Sequence, residues 1–410
     1  MTRVLWRAST QQKIKSNLFK YENYLKNKYN YSPNGTYSNL LKWSIKNSED
    51  FWSSIWDYAD VKGKKNLNTT LSKELYKSKF LNKSKLNFAE NILRKQDKDK
   101  AITFVSENGY REIKTWIELY RSVSKIVKFF QDNQIKTNDR VVGYMPNIFE
   151  TVECFLASSA IGAIWSSCSP DFGVNGVVER FSQIKPKILI ICDRYYYNGK
   201  EINVINRLPK ILSKIKSIKK VIIVNYPGKE LLNCKKFRSV KIFKWNVIKK
   251  LNGSTIYFKK FDFNKELVIL FSSGTTGKPK CICHRAGGVL LQHLKEHILQ
   301  CEIKPKDNVF YFTTCGWMMW NWLVSVLGSK ASIVLFDGYP MYKKKDLLFK
   351  IASRENISMF GVSAKYIDNL NNLRINIKSK YRLKKLKTIC STGSPLSEDS
   401  FEYVYKKIKS

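Results

Sequence analysis

The segment ILFSSGTTGKPKCICH, from Ile269 to His284, holds the side chains best suited to chemistry in this sequence. An apolar run leads into Ser272–Lys280, where nine residues include four hydroxyl side chains, two glycines and two lysines. Backbone N–H groups and hydroxyls donate hydrogen bonds to phosphate oxygens, glycine lets the backbone approach closely, and lysine supplies positive charge. The order of these residues behind a strand therefore predicts a phosphate-binding loop.

This loop differs from the P-loop of many nucleotide-binding proteins. The P-loop motif places a serine or threonine directly after its Gly-Lys pair, whereas Pro279 follows Lys278 here. A flexible surface loop is the alternative interpretation, because hydroxyl and glycine residues are common in loops. The full order of residues behind a strand is much rarer, so phosphate binding is favoured over a plain loop.

Histidine and cysteine residues give no clear metal motif. His293 and His297 are four residues apart on a predicted helix and could share a metal ion, but no carboxylate or third histidine has a fitting spacing. Cys281 and Cys283 are two residues apart, which fits neither a zinc knuckle nor a redox pair. We therefore predict no metal site in this chain and reduced thiols throughout.

The segment CGWMMWNW concentrates three tryptophans and two methionines in six consecutive positions. Such bulk is more often core than binding pocket, and methionine can also line a pocket that adapts to its ligand. If the segment is helical, Trp317 and Trp320 share one face, while Met318, Met319 and Trp322 share another. One face could then line a pocket while the other packs into the core.

Composition limits the classes of protein that fit. The chain has 410 residues, of which 43% are hydrophobic and 13% aromatic, so it can form two or three globular domains or subdomains. Its formal net charge of +40 comes from 73 basic against 33 acidic residues, mostly scattered lysine without a long basic run. Nucleic-acid binding is therefore not favoured, although the charge favours polyanionic substrates such as nucleotides.

No segment has the pattern of a signal peptide or of a membrane span. The N-terminal residues lack a sufficiently long apolar core for secretion. The most apolar segment, Phe155–Pro170, is too short to cross a bilayer and is typical of a buried helix running into a strand. We expect a soluble cytoplasmic protein.

The fold class follows from alternating patterns along the chain. Residues 1–95 are predicted to be mainly helical, with a polar connector at 61–81. Apolar runs then alternate with amphipathic helical segments, which predicts an α/β fold of parallel sheets flanked by helices. We expect two α/β subdomains, at about 100–225 and 260–410, with an irregular region at 227–260. The predicted strands lie at 140–145, 188–192, 221–226, 267–271, 309–314 and 332–336.

The last residues, LKTICSTGSPLSEDSFEYVYKKIKS, predict a strand, a Gly/Pro turn and a helix. Ser397 is the expected N-cap, because its hydroxyl can accept a hydrogen bond from the first helical turn, where Glu398 and Asp399 are also favourable. The chain stops at Ser410 as this helix finishes. Because a parallel sheet would normally continue, we expect the chain to end within a domain.

The loop at Ser272–Lys280 resembles the phosphate-binding signature of the AMP-forming acyl-CoA synthetases, within the adenylate-forming superfamily. YSNLLKWSIKNSEDFWSSIWDY is similar to the N-terminal region of the acetyl-CoA synthetase branch, and the stretch from HRAGGVLLQHLKEH to FDGYP resembles the acetoacetyl-CoA synthetase branch. This resemblance implies the fold of the superfamily's large N-terminal domain. Residues 1–95 would be the helical N-terminal region and 96–410 an incomplete AMP-binding domain, with the C-terminal domain absent.

The resemblance also implies a two-step ligase reaction with ATP, acetoacetate and CoA as substrates. The acid would attack the α-phosphate of ATP, giving an acyl-adenylate and pyrophosphate, and the CoA thiolate would then displace AMP. Mg²⁺ would bridge phosphate oxygens in the first step. No nucleic-acid partner or membrane span is implied, and the oligomeric state stays open.

Residue roles can be carried over from the resemblance where the motifs match. His284 would lie near the acyl–phosphate junction as the candidate catalytic residue, with packing as the alternative role. Lys200 falls near a basic CoA site, although Tyr197 replaces the neighbouring basic residue. In the tryptophan-rich segment Trp322 is expected in the core. The phosphate-binding residues would be Ser272, Ser273, Gly274, Thr275, Thr276, Gly277, Lys278 and Lys280; the adenine-binding residues Gly393, Ser394 and Pro395; and the acyl-pocket residues Trp317, Met318, Met319 and Thr392.

Several features of the superfamily are expected beyond Ser410. These are the acidic Mg²⁺ motif, the ribose-binding aspartate, the hinge and the C-terminal domain with its catalytic lysine. The 410-residue chain is therefore expected not to complete adenylation. Other short acids such as acetate, propionate or 3-hydroxybutyrate remain alternatives to acetoacetate, as does a non-catalytic nucleotide-binding fragment.

Overall fold

The structure is a computed structural model that describes residues 4–234, 237, 239–272 and 277–409. Four of the predicted phosphate-binding residues, Ser273, Gly274, Thr275 and Thr276, lie outside the described residues.

The strands are β1 Gly63–Lys64, β2 Lys85–Leu86, β3 Lys100–Ser106, β4 Arg111–Thr115, β5 Arg140–Tyr144, β6 Ile164–Cys168, β7 Ile188–Cys192, β8 Arg194–Tyr197, β9 Lys200–Asn203, β10 Lys220–Val224, β11 Lys241–Lys244, β12 Phe261–Asp262, β13 Glu266–Ser272, β14 Lys280–Arg285, β15 Asn308–Tyr311, β16 Ser332–Asp337, β17 Met359–Ser363 and β18 Thr388–Thr392. The helices are α1 Thr10–Lys15, α2 Asn17–Lys28, α3 Tyr37–Lys46, α4 Ser48–Tyr58, α5 Phe88–Ile92, α6 Trp116–Asp132, α7 Phe149–Ala160, α8 Val174–Ile184, α9 Leu208–Lys214, α10 Trp245–Lys249, α11 Ala286–Lys295, α12 Met318–Ser325, α13 Leu347–Arg354, α14 Ala364–Asn372, α15 Ile377–Lys380 and α16 Glu398–Tyr403.

The N-terminal region is helical as predicted, from α1 to α5. Hydroxyl side chains begin three of these helices: Ser9 caps α1, Ser16 caps α2 and Thr36 caps α3, each by accepting a backbone N–H hydrogen bond. The predicted connector contains β1, which pairs with β2, and β2 also pairs with the distant β12. This small antiparallel sheet ties the helical region to the rest of the chain.

The first large sheet has seven strands in the order β11-β10-β7-β5-β6-β13-β14. All of its pairs are parallel except β13 with β14, which form an antiparallel hairpin at one edge. The central strands are apolar and buried on both faces, as the runs in β5 and β7 predicted. The segment Phe155–Pro170 is confirmed as a buried helix running into a strand, since it spans the end of α7 and all of β6.

The second large sheet has six strands in the order β18-β17-β15-β16-β3-β4. It joins strands that are far apart in sequence, because β3 pairs with β16 through contacts such as Ile102 opposite Ile333. Sheet membership therefore differs from the predicted division at 100–225 and 260–410. β3 and β4 belong to the second sheet, whereas β13 and β14 belong to the first.

The region 227–260, which we expected to be irregular, contains a strand and a helix. β11 adds a parallel edge strand beside β10, and α10 follows it. The sequence signal of β11 is weak because only Ile242 and Phe243 are apolar in Lys241–Lys244 and neither is fully buried. Edge strands with exposed lysine are commonly short.

Buried carboxylates connect the two large sheets. Glu107 accepts backbone N–H hydrogen bonds from Asn198 at 2.9 Å, Gly199 at 2.7 Å and Tyr339 at 2.6 Å. Asp337, at the end of β16, accepts a hydrogen bond from the Tyr226 hydroxyl at 3.0 Å. These bonds fix the end of the second sheet against loops that follow strands of the first.

The C-terminal helix begins as predicted. The Ser397 hydroxyl accepts the backbone N–H of Ser400 at 3.3 Å, which confirms Ser397 as the N-cap of α16. Among the described residues, no helix is long and apolar enough to cross a membrane.

Candidate active site

A cavity of about 530 Å³ opens between β14, α11, β15, α12 and the end of β18. These elements come from both large sheets, so the cavity lies where the sheets approach each other. The residues that line it are His284, Gly288, Val289, Gln292, His293, Glu296, Tyr311, Met318, Met319, Trp322, Cys390 and Thr392.

Four of the predicted site residues meet in this cavity. His284 comes from β14, Met318 and Met319 from the first turn of α12, and Thr392 from the last position of β18. More than 100 residues separate His284 from Thr392 in the sequence, and the fold brings both to one cavity. These are four of the five residues for which the resemblance implied a role near the acyl group, and the fifth is Trp317.

The tryptophan-rich segment divides between the cavity and the core. Met318, Met319 and Trp322 all line the cavity, as expected for residues on one helix face. Trp320 is fully buried, and its indole N–H donates to Asn147 Oδ1 at 2.9 Å. Trp322 is 6% exposed, so it is a core residue, as predicted, that also forms part of the cavity wall.

Trp317 lies outside the lining of this cavity and is 51% exposed, which differs from the predicted place in the acyl pocket. It is the N-cap of α12 and has an extended backbone, with φ −115° and ψ 154°. Because the helix begins only after Trp317, helical spacing does not put this residue on one face with Trp320.

Polar side chains of α11 and the turn after it form a wall that the sequence analysis did not identify. Val289, Gln292, His293 and Glu296 follow helical spacing, which places them on one face. Glu296 accepts hydrogen bonds from Gln292 Nε2 at 2.6 Å and from Trp322 Nε1 at 2.8 Å. The spacing of Gln292, His293 and Glu296 in QHLKE is the sequence pattern that corresponds to this wall.

Burial keeps the two histidines of the cavity neutral. Burial lowers the pKa of His284, and it lowers the pKa of His293 to about 3, with nearby His284 adding to the effect. Burial also raises the pKa of the Tyr311 hydroxyl to about 12. Glu296 is the one carboxylate in the lining, so the described wall offers hydrogen bonds to a ligand and little charge.

The described part of the predicted phosphate loop lies at the opposite end of β14 from the cavity. Ser272 ends β13 and pairs with Lys280, which begins β14, so Ser272 and Lys280 flank the loop between the strands. Gly277 has φ 141°, a conformation that favours glycine, and Lys278 and Lys280 are exposed. The Pro279 carbonyl accepts a hydrogen bond from Gln183 at 3.0 Å, which holds this end of the loop on α8.

The spacing along β14 relates the loop to the cavity. Alternate side chains of a strand lie on one face, so Lys280, Ile282 and His284 share a face. His284 lies four residue steps along the strand from Lys280, which corresponds to about 13 Å. One strand face thus leads from the predicted phosphate end to the cavity end.

The predicted adenine-binding residues follow β18, and two of them line a different cavity. Ser394 and Pro395 contribute to a cavity of about 710 Å³ whose wall also includes Ile367, Leu386 and Phe401. Gly393, in the turn, has φ 92°, which favours glycine. Thr392 and Ser394 therefore belong to two separate cavities at the end of one strand.

Lys200 is not part of either cavity lining. It begins β9 in an exposed position on the β8–β9 hairpin. The backbone of the hairpin tip, Asn198 and Gly199, is held by Glu107 through the hydrogen bonds described above.

His293 and His297 are close but do not form a metal site with other ligands. Their ring centroids lie 6.1 Å apart, and His297 packs edge to face against Trp322 at 4.3 Å. Within the described part of the chain, no group of three or more His, Cys, Asp or Glu residues is arranged to hold a metal ion.

A family profile and curated relatives match most of the chain. The profile described as "AMP-binding enzyme" matches residues 88–410. The chain is 39% identical over 383 residues to "Acetoacetyl-CoA synthetase" from Gallus gallus, covering 91% of this chain and 57% of that protein. It is 40% identical over 374 residues to "Acetoacetyl-coenzyme A synthetase" from Rhizobium meliloti (strain 1021), with the same coverage of each chain.

Two further relatives extend these comparisons. "Malonamoyl-CoA synthetase vrtB" from Penicillium aethiopicum is 34% identical over 430 residues, covering 98% of this chain and 59% of that protein. The solved structure "Acetoacetyl-CoA Synthetase from Streptomyces lividans" superposes with a TM-score of 0.92 at 30% identity, covering 99% of this chain and 62% of that one. The chain thus spans somewhat more than half the length of the relatives it matches.

Proposed function

This chain belongs to the AMP-binding enzymes, and from that premise we propose that it binds ATP and a short carboxylic acid for adenylate formation in an acid–thiol ligase. Acetoacetate is the first candidate acid, because curated relatives at about 40% identity are named for acetoacetyl-CoA. CoA would be the thiol acceptor in the second step.

One observation carries this proposal. β14 connects the phosphate-loop residues at Lys280 with His284 in the cavity, about 13 Å apart on the same strand face. A nucleotide whose terminal phosphates lie at the loop could extend its α-phosphate toward His284. An acid in the cavity would then have its carboxylate near that phosphorus atom.

In this arrangement the reaction depends mainly on positioning. A carboxylate oxygen would attack the α-phosphorus while the bond to pyrophosphate breaks. The lysines would offset charge on the phosphates, and the neutral His284 imidazole could hydrogen-bond at the junction without adding charge. Gly393, Ser394 and Pro395 are proposed to contact the adenine, and Lys200 the CoA phosphates.

The described residues do not form a site for Mg²⁺. Mg²⁺ in nucleotide sites is usually held by one or two carboxylates together with phosphates, and Glu296 in the cavity already accepts hydrogen bonds from Gln292 and Trp322. Mg²⁺ would therefore arrive as part of the ATP complex.

Calorimetry with acyl-adenylate mimics tests the proposal on the 410-residue chain. Acetoacetyl-sulfamoyl adenosine should bind at least about tenfold more tightly than sulfamoyl adenosine, because the acyl group adds buried contacts. Equal affinity for the two compounds would reject an acyl site in the cavity. ATP–pyrophosphate exchange with acetate, propionate, acetoacetate and 3-hydroxybutyrate, measured on a chain that also carries the C-terminal part present in the relatives, then ranks the acids. Best exchange with acetate would reject acetoacetate.

A further inference from the structure

The cavity wall contains a hydrogen-bonded chain of three residues that ends at the cavity. The Ser325 hydroxyl lies 2.8 Å from the Asn321 carbonyl oxygen and 2.9 Å from His293 Nδ1. Ser325 is fully buried and His293 is 5% exposed. His293 lines the cavity, and none of the hydrogen bonds between described residues uses its Nε2.

This chain has two arrangements for its protons. A neutral imidazole carries one ring proton, and a hydroxyl donates only one hydrogen bond. If Ser325 donates to the Asn321 carbonyl, His293 Nδ1–H donates to Ser325 and Nε2 accepts from the cavity. If Ser325 rotates to donate to Nδ1, the proton is on Nε2, which then donates into the cavity.

Both arrangements are accessible because His293 stays neutral. Its pKa of about 3 means that the imidazolium form is not populated at neutral pH. Either neutral tautomer keeps its hydrogen bond to Ser325, because the hydroxyl can accept from Nδ1–H or donate to Nδ1. His293 Nε2 can therefore pair with either a hydrogen-bond acceptor or a donor on a ligand. A carboxylate on a ligand could also accept from Nε2–H, but Glu296 in the same wall would repel it.

Resting on the function proposed above, we propose that His293, positioned by Ser325, selects acids with an uncharged polar group on the second carbon from the carboxylate. A keto oxygen would accept from Nε2–H, whereas a hydroxyl or a carboxamide N–H would donate to Nε2. An alkyl chain would leave Nε2 buried without a partner, and a second carboxylate would face Glu296. The substrate class is thus β-keto, β-hydroxy and β-carboxamido acids.

The apolar side chains of the remaining wall fit this class of short acids. Met318, Met319 and Val289 provide an apolar surface for a short carbon chain. The polar side chains that face it, His293 and Glu296, stand on one face of α11 and its following turn. His284, Tyr311 and Thr392 add polar groups from β14, β15 and β18, so polar groups lie on more than one side of this apolar surface.

Affinities for four acyl-sulfamoyl adenosines test the selection. We expect the 410-residue chain to bind the acetoacetyl and 3-hydroxybutyryl compounds at least about tenfold more tightly than the butyryl compound, since a buried polar atom without a partner is costly. The malonyl compound should bind more weakly than all three. Equal binding of the acetoacetyl and butyryl compounds overturns this inference and leaves adenylate binding intact. Binding of none of the compounds overturns the proposed function and this inference together.

Two variants assign the selection to His293. His293→Leu should retain binding of the butyryl compound and lose the tenfold preference for the acetoacetyl compound, whereas a purely structural role would weaken all compounds alike. His293→Gln should restore part of the preference, because the amide offers both a donor and an acceptor. Met319→Leu is the matched control on the apolar wall and should keep the preference. A preference that persists in His293→Leu overturns the assignment.

Discussion

The two ends of β14 lie in contrasting surroundings. At the cavity end, polar side chains are held by one another, as Glu296 is by Gln292 and Trp322. At the loop end, Lys278 and Lys280 are exposed at the edge of the sheet. A short acyl chain offers few contacts and requires fixed groups in a buried pocket, whereas phosphates are attracted by exposed positive charge.

This contrast separates two kinds of residue. Behind the cavity, substitutions should mainly lower the free energy of unfolding, because the side chains there form a buried network. Trp320 donates to Asn147, and the Asn147 backbone N–H donates to Asp337 at 3.4 Å. At the loop end, substitutions should mainly weaken ligand binding.

The largest effect is expected for Trp320 behind the cavity. Trp320→Ala removes a fully buried side chain and the partner of Asn147, and should lower the free energy of unfolding by about 3–5 kcal/mol. Trp317→Ala, three residues earlier and half exposed, is the matched control and should change it by less than about 1 kcal/mol. Urea denaturation measures both. Similar losses of unfolding free energy in the two variants would contradict the contrast between a buried Trp320 and an exposed Trp317.

Asp337 should give the buried network a pH dependence. Burial raises the pKa of Asp337 to about 7, so its folded-state pKa lies above the unfolded value. The stability it contributes is present at low pH and is lost as pH rises from about 4 to about 7, with a limiting slope of about 1.4 kcal/mol per pH unit. Asp337→Asn should remove this slope, as measured by urea denaturation between pH 4 and 8.

The exposed Asp50→Asn is the control for this experiment. Its pH profile should follow that of the unsubstituted protein, since Asp50 lies on the surface of α4. If the pH profile of Asp337→Asn also matched that of the unsubstituted protein, Asp337 would be ionised at low pH in the folded protein.

Substitution of Lys280 at the loop end should weaken ligand binding and leave the free energy of unfolding almost unchanged. Lys280→Ala is expected to weaken ATP binding about tenfold, because a charge-assisted contact to phosphate is lost. Its free energy of unfolding should change by less than about 0.5 kcal/mol, since the side chain is exposed. Calorimetry measures the first quantity and urea denaturation the second. Lys210→Ala, an exposed lysine on α9, controls for the loss of charge and should leave ATP binding unchanged.

The smallest effect concerns a helix cap away from β14. Ser397→Ala removes the hydroxyl that accepts the Ser400 N–H and should lower the free energy of unfolding by about 1 kcal/mol. Binding of the acetoacetyl compound should not change. Ser213→Ala, an exposed serine on α9, should lower stability by less than this amount, and a larger loss there would argue against a capping effect at Ser397.

The sequence alone was sufficient to predict the elements that have strong local patterns. The apolar run Ile188–Cys192 became β7 without change, and the hydroxyl of Ser397 marked the start of α16. The strand pairing was not predictable, because β3 joins β16 through contacts that no local pattern encodes. Local periodicity identifies elements and leaves their partners open.

In the candidate site, too, local patterns were predictive and tertiary contacts were not. Met318, Met319 and Trp322 were placed on one face by helical spacing, and all three line the cavity. Trp317 was misplaced, because a sequence pattern does not show that α12 begins after it. The wall formed by Gln292, His293 and Glu296 depends on tertiary contacts with α12, so sequence spacing alone gave it no role.

The pairing of β3 with β16 also bears on how the protein is made. About 230 residues separate Ile102 from its partner Ile333, so the second sheet cannot close until that length has left the ribosome. At ordinary synthesis rates this takes roughly 10–50 seconds. The first sheet, whose strands are mostly nearer in sequence, can form during that interval. The nascent chain must meanwhile shield the apolar strand Lys100–Ser106, and this period should be when it most needs a chaperone.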